Sequence, residues 1–314
     1  MLRFLCTLAT ALAVAACTSP MPKPSPQAAP LPPTSQPLSW SDVLDFPAPE
    51  AGERIAYGPG PQQFGILRLP QRPGPHPVVV LLHGGCWLNQ YDLQYFELWA
   101  AALAELGYAS WNVEYRRLGD AGGGWPGTFS DVGLAIDHLR ALANDYPLDL
   151  QAVRVAGHSA GGHLALWAAS RAQLPADSPL YVPNPLPLQQ VIGLAAITDL
   201  AGYRIGPPKS CHSSVDRLLE GSPDSQPQRY AQASPLQRLP LGLPISLIQG
   251  SEDPIVSASS ASAFVDAARA AGDKAQLLLL PGAGHFDSGV PTTASMEAMR
   301  RALQQPSATT RPPG

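Results

Sequence analysis

Residues 153–167 constrain this chain more than any other stretch. A β-branched run, Val153-Arg154-Val155, passes through Gly157-His158-Ser159-Ala160-Gly161 and continues into Leu164, Leu166 and Trp167 at the apolar spacing of a buried helix. The order is strand, sharp turn, helix. A serine at the tip of so tight a turn sits in a strained backbone conformation, and glycines at 157 and 161 leave room where side chains would not fit. The Ser159 hydroxyl is then held out above the sheet. The helix that follows offers unpaired N–H groups and a positive dipole end to any negative charge that develops there.

Serine is a weak nucleophile at neutral pH, so the turn implies chemistry only with a base, a group that orients the base, and donors for an oxyanion. Just after the continuous apolar run 78–82 comes His83-Gly84-Gly85-Cys86-Trp87, where paired glycines let the backbone approach a ligand and point N–H groups at it. One or more of the Gly84, Gly85 and Cys86 N–H groups, with that of Ala160, form the expected oxyanion hole. Losing one such donor costs about 3 kcal/mol of transition-state stabilisation. Of the seven histidines, His285 follows the last strand in Pro281-Gly282-Ala283-Gly284-His285-Phe286, where sheets of this kind carry their sites. It is the expected base. His158 and His163 adjoin the serine but turn the wrong way, and His83 is expected to brace its own loop. The orienting acid is expected at Asp253, which follows strand 245–248 and precedes Pro254-Ile255-Val256; Glu252 and Asp199 are the other acid positions. Asp131 reads as the cap of a helix over 131–143. The sequence has no His-Glu-x-x-His, Cys-x-x-Cys or phosphate loop, so neither a metal nor a cofactor is expected.

The first segment reads as an export signal. Arg3 precedes an apolar run over 4–16, too short to span a bilayer and ending in small residues. Val14-Ala15-Ala16-Cys17 resembles the lipobox of bacterial lipoproteins, which makes residues 1–16 a signal peptide and Cys17 the acylated N-terminus. Ordinary cleavage after Ala16 is the alternative. Several acyl chains on Cys17 would anchor the chain stably to a membrane of the bacterial cell envelope, the outer membrane or the periplasmic face. Residues 17–39 are so rich in proline that neither helix nor sheet is expected, but an extended tether of about 60 Å at polyproline rise. The folded domain is expected over 40–305 and a disordered tail over 306–314. A formal net charge of −4 and 14% charged residues offer nothing basic for nucleic acid. The oligomeric state is not legible.

Within 40–305, strands 54–57 and 64–69 are expected to pair antiparallel across Gly58-Pro59-Gly60-Pro61. Strand and helix patterns then alternate: strand 78–82, helix 93–106, strand 108–113, helix 131–143, strand 153–156, the helix after Ser159, strand 191–197, helix 215–219, strand 245–248, helix 259–271, strand 276–280 and helix 294–303. The alternation calls for an α/β fold with a mainly parallel sheet covered by helices on both faces.

Five motifs carry a resemblance to a known family: His83-Gly84-Gly85-Cys86-Trp87, Asn112-Val113-Glu114-Tyr115-Arg116-Arg117, Gly157-His158-Ser159-Ala160-Gly161-Gly162-His163, Gly250-x-x-Asp253 and Gly284-His285-Phe286. Together they resemble the α/β-hydrolase superfamily, in the branch with His-Gly-Gly oxyanion loops. That branch contains carboxylesterases of the hormone-sensitive-lipase type and kynurenine formamidase. The order Ser159, Asp253, His285 matches its triad. The resemblance implies an eight-stranded sheet with a small cap insertion, and acyl transfer from a small-molecule substrate to water. A carboxylesterase is the first expectation, an arylformamidase the second, a peptidase of the prolyl-oligopeptidase type the third, and a non-catalytic binding module the most remote. Cys86 lies on the oxyanion loop and Cys211 where the family places its cap. In an oxidising compartment the two are expected to form a disulfide, with two buried thiols as the alternative.

Overall fold

The computed structural model describes residues 36–207 and 211–305. Along the chain these form α1 (Trp40–Leu44), β1 (Glu53–Ala56), β2 (Phe64–Arg68), β3 (His76–Leu82), α2 (Glu97–Glu105), β4 (Ala109–Val113), α3 (Gly127–Asp137), α4 (Leu139–Leu142) and β5 (Leu148–His158). There follow α5 (Ala160–Ala169), β6 (Gln190–Leu194), α6 (Leu200–Tyr203), α7 (Ser214–Leu218), α8 (Pro227–Ala233), β7 (Ile245–Gly250), α9 (Ala258–Ala270), β8 (Ala275–Leu280) and α10 (Thr293–Leu303). The eight strands make one sheet in the order β1-β2-β4-β3-β5-β6-β7-β8. The β1–β2 and β2–β4 pairs are antiparallel and every later pair is parallel. The expected α/β architecture is the observed one.

The continuous apolar runs have a direct cause in this layering. Val78, Val80 and Leu82 of β3 face a cluster closed by Phe129 of α3, Leu164 and Trp167 of α5 and Phe264 of α9. Val79 and Leu81 face the opposite cluster, closed by Trp99 and Leu103 of α2 and Met299 of α10. All five are fully buried, and each such side chain stabilises the fold by about 1.5–3 kcal/mol. Because both faces are covered, the strand carries no polar alternation. The parallel strands thus end together, and the loops after β3, β5, β7 and β8 hold the residues singled out above.

Three expectations are corrected. The helix expected over 131–143 starts at Gly127 and breaks into α3 and α4. Asp131 therefore lies inside α3 and caps nothing: its buried carboxylate accepts from the Arg116 N–H and guanidinium and from Gln63. The ordered body also starts before residue 40. Leu38 is buried, its N–H donates to Asp287 Oδ2 at 3.0 Å, and Ser39 caps α1 in a capping box. The interval between β6 and β7 holds α6, α7 and α8, where only one short helix was expected; Val215, Leu218, Tyr230 and Ala233 seal it to the core. The expected signal peptide over 1–16, Cys17, most of the expected proline-rich tether and the tail expected over 306–314 lie outside the described residues. Among the described residues, no helix is long and apolar enough to cross a membrane.

Candidate active site

Ser159 sits between β5 and α5 with φ 55° and ψ −117°, a combination that costs an ordinary residue about 1–3 kcal/mol and persists only where neighbours enforce it. They do. The Ser159 N–H donates to Leu194 O at 2.8 Å, and the Ser159 carbonyl accepts from His163 at 3.0 Å. A Cβ on Gly157 would lie 2.2 Å from Gly161 O, and one on Gly161 would lie 2.1 Å from Leu82 O. The glycine spacing is thus the imprint of three backbone segments in contact. Ser159 is 3% exposed, and at the first residue of α5 the Ala160 N–H has no intrahelical partner.

Of the acid positions, Asp253 is the one placed on His285. Its Oδ2 lies 2.8 Å from His285 Nδ1, and because a carboxylate only accepts, Nδ1 carries the proton. The lone pair of the neutral ring is then at Nε2. Asp253 is itself fixed: Ile255 and Val256 N–H groups donate to Oδ1, and Gln249 Nε2–H donates to Oδ2 at 2.9 Å. Burial pushes the Asp253 carboxyl up, but the hydrogen bond and charge of His285, with the two backbone donors, outweigh it and hold the group below its ordinary range. Asp199 instead caps α6, accepting from the Ala201 and Gly202 N–H groups. Glu252 is exposed.

The oxyanion loop is pinned from behind. Gly85, Cys86 and Trp87 all have positive φ, at 110°, 55° and 57°. One expected donor is corrected: the Gly84 N–H points inward and donates to the Tyr95 hydroxyl at 2.7 Å. The N–H groups of Gly85, Cys86 and Ala160 remain as candidate donors. His83 braces the loop as expected, with Nδ1 2.8 Å from Gly84 O, Nε2 3.0 Å from Glu114 Oε1 and its ring stacked on Tyr115. Tyr115 donates its hydroxyl to His83 O at 2.7 Å. Glu114 also receives Arg117 at 3.0 Å and the Leu93 and Tyr115 N–H groups. Burial pushes its carboxyl up, but the charge and hydrogen bond of His83, then Arg117 and the Tyr115 N–H, hold it below its ordinary range. Trp87 is fully buried and donates to His163 Nδ1 at 3.2 Å.

His158 and His163 are both engaged elsewhere: His158 lies between the Tyr95 hydroxyl and the backbone carbonyl of His285. His163 bridges Trp87 and Ala233 O, and burial lowers it to about 4. Cys86 and Cys211 are joined by a disulfide, Cα atoms 4.9 Å apart, tying the oxyanion loop to the cap. Tyr95, Glu114 and Gln249 were not given roles from the sequence. Glu114 lies inside a quoted motif, but its partners come from three segments. Among the described residues no group of three or more His, Cys, Asp or Glu side chains is placed to hold a metal.

With this geometry in hand, likeness to known proteins fixes the family. The BD-FAE family model matches residues 66–267, well over half of the chain. The chain is 31% identical over 267 residues to esterase LipC of Mycobacterium tuberculosis, covering 80% of this chain and 64% of that protein. It is 29% identical to esterase LipQ of the same organism, covering 78% and 59%. The chain therefore spans less than two thirds of the length of these relatives. In fold it is similar to esterase B of Lactobacillus rhamnosus, with a TM-score of 0.70 at 22% identity over 84% of this chain and 88% of that one. The matched residues run from β2 into α9 and include Ser159 and Asp253, and the chain belongs to the BD-FAE family of α/β-hydrolases.

Proposed function

We propose that this chain is a serine carboxylesterase that hydrolyses small carboxylic esters through an acyl-enzyme on Ser159. The observation that carries the reading is the pairing of His285 Nδ1 with Asp253 at 2.8 Å, beside a nucleophile turn held at φ 55°. In the first half-reaction the Ser159 hydroxyl attacks the ester carbonyl carbon and His285 Nε2 takes its proton. Negative charge on the carbonyl oxygen is met by N–H groups of Ala160 and of Gly85 or Cys86. Collapse expels the alcohol, which receives the proton from His285, and water repeats the sequence to release the acid. Every step uses side chains, backbone donors and water.

The names of the relatives, esterase LipC and esterase LipQ, support ester over amide substrates. Three short helices between β6 and β7 support small acyl groups over long ones. The full chain is expected to hydrolyse short p-nitrophenyl esters and to take up one organophosphonate on Ser159. Ser159→Ala is expected to lose turnover by about 10⁴-fold or more. Near wild-type turnover by Ser159→Ala would overturn the triad, and a tenfold higher kcat/KM for N-formylkynurenine than for any ester would overturn the substrate class. We also propose that Cys17 carries a lipid anchor holding the enzyme in the cell envelope. Labelled palmitate entering the wild type but not Cys17→Ala is the expected result, and an unlabelled wild type found wholly in the aqueous phase would sink it.

A further inference from the structure

Between the oxyanion loop and the base loop lies a run of buried polar groups whose hydrogen bonds take one sense when His158 is neutral. A backbone N–H can only donate, so at 2.7 Å the Gly84 N–H gives its proton to the Tyr95 oxygen. The Tyr95 hydroxyl therefore has its own proton left to give, and His158 Nδ1 lies 2.9 Å away. At the far side of the same ring, His158 Nε2 lies 3.1 Å from the backbone carbonyl of His285, which can only accept. With the ring kept neutral by burial, the three bonds agree on one state of His158: Nδ1 bare and the proton on Nε2. We infer that Tyr95 and His158 are positioning residues that lock the base loop to the oxyanion loop through this one-way relay, on either side of Ser159.

The relay is packed as tightly as it is bonded. A Cβ on Gly84 would lie 2.9 Å from His158 O, 3.0 Å from the Tyr95 hydroxyl and 3.1 Å from His158 Nδ1; one on Gly289 would lie 3.0–3.2 Å from three atoms of the His158 ring. The His158 and His285 rings are 4.8 Å apart, and Phe96 and Phe286 lie against His158 as well. Tyr95 and His158 are almost fully buried. Burial, reinforced by the neighbouring His285 and opposed by the bond to its carbonyl and by Asp253, lowers His158 to about 3, so the ring stays neutral over the working range. Tyr95 is held on its outer side by the edge of Trp40 at 5.3 Å. The consequence is mechanical: the backbone that presents the oxyanion donors and the backbone that presents the base are two ends of one rigid path. A misplacement of 1 Å at either end of such a path costs about a hundredfold in rate.

The inference rests on the proposed ester hydrolysis, and its test separates the two. Tyr95→Phe keeps the ring and removes the hydroxyl that both accepts and donates. It is expected to lower kcat by about tenfold to a hundredfold with KM within about twofold, and to slow phosphonylation of Ser159 in parallel while the final stoichiometry is unchanged. His158→Gln, whose amide can still donate to His285 O, is expected to lose less than His158→Leu. In full-length protein labelled with ¹⁵N histidine, the ring of His158, assigned by its loss in His158→Gln, is expected to show the neutral Nε2–H tautomer unchanged from about pH 5.5 to 8.5. A Nδ1–H tautomer, titration within that range, equal losses in the two His158 variants, or Tyr95→Phe turnover within about twofold of wild type would each overturn the relay. An inert wild type that no phosphonate labels would instead sink the hydrolase reading, and the tautomer would still report the relay.

Discussion

The loop after β3 and the loop after β8 both meet His158, the residue before Ser159, yet they are held by different means. The first offers backbone N–H groups, and three consecutive positive φ angles at Gly85, Cys86 and Trp87 keep it in a shape it would not adopt alone. Its support therefore comes from outside: Glu114 through His83, the Tyr95 and Tyr115 hydroxyls, His163 through Trp87, and the disulfide to Cys211. The second loop offers a side chain, and a side chain needs only its ring oriented. One carboxylate, Asp253, does that, while Asp287 closes the loop locally on the Gly284 N–H at 2.9 Å. A site that works through backbone donors needs a stiff scaffold; a site that works through an imidazole needs one well-placed acceptor.

If that contrast is right, damage to the base side should cost rate and little stability. Asp253→Asn can keep the acceptor for Ile255 and Val256, but the amide nitrogen that replaces Oδ2 accepts from neither Gln249 nor His285, so the imidazole loses its tautomer. A fall in kcat of about 10⁴-fold is expected, with a melting temperature shifted by only a few degrees. Steady-state kinetics and calorimetry on one preparation decide it, and unfolding in place of inactivity would break the comparison.

Damage to the oxyanion side should cost both. Glu114→Gln leaves Arg117 and His83 without their buried carboxylate, and breaking such a pair costs about 3–5 kcal/mol. A kcat lower by about tenfold to a hundredfold is expected beside it. Acid should act in the same way on the wild type. Both Glu114 and Asp253 are held below their ordinary values of 4.5 and 3.8, so each stabilises the fold fully above those values and ceases to as pH falls through the lower folded-state value. Denaturant midpoints are therefore expected to be flat above about pH 5 and to drop below it, and less steeply in Glu114→Gln. A variant as acid-sensitive as wild type would remove Glu114 from the account.

The same division decides what could be read from the chain. The strands, the turn at Ser159 and the strand-end loops that bring Asp253 onto His285 were legible because each is a short local pattern: an apolar run, a glycine turn, a strand end. The Gly84 N–H was misassigned because its orientation depends on Tyr95, eleven residues on, and nothing around Tyr95 distinguishes it from any aromatic before a helix. Asp131 was misread as a cap because Ser130-Asp131 mimics one locally, while its real partners, Arg116 and Gln63, meet it only in the folded chain. Leu38 looked like the end of a proline tether until Asp287, 249 residues away, gave its N–H an acceptor. Local pattern carries the elements and the turn at Ser159; the scaffolding of the loop after β3 is tertiary and leaves no spacing rule.

Among the supports of the oxyanion loop, the disulfide can be removed without mutation. Closing a sequence separation of 125 residues restricts the unfolded chain by about 5 kcal/mol in the entropic account. Its nearer effect is on Cys86, a candidate oxyanion donor at φ 55°. Mild reduction is expected to lower kcat by about threefold to tenfold at temperatures where the circular dichroism spectrum is unchanged, with KM moved less. Activity that falls only together with the spectrum would mean the bridge serves stability alone.

The smallest effect expected is at Trp40, which touches both loops without bonding to either. Its ring lies 5.5 Å from Tyr91, 5.3 Å from Tyr95 and 5.7 Å from Phe286, edge-on to the first two. Tyr91 in turn abuts Gly85, where a Cβ would lie 2.4 Å from the Tyr91 Cβ. The indole thus packs between the oxyanion side and the base side, on the segment that Leu38 and Asp287 fasten to the base loop. Edge-to-face pairs of this kind contribute about 0.5–1.5 kcal/mol each. Trp40→Ala removes them but leaves every hydrogen bond of the two loops in place. It is expected to lower the melting temperature by a few degrees and raise KM by about threefold, with kcat within about twofold. If kcat falls as far as in Glu114→Gln, the oxyanion loop is held by packing as much as by polar scaffolding, and the contrast between the two loops is smaller than their hydrogen bonds indicate.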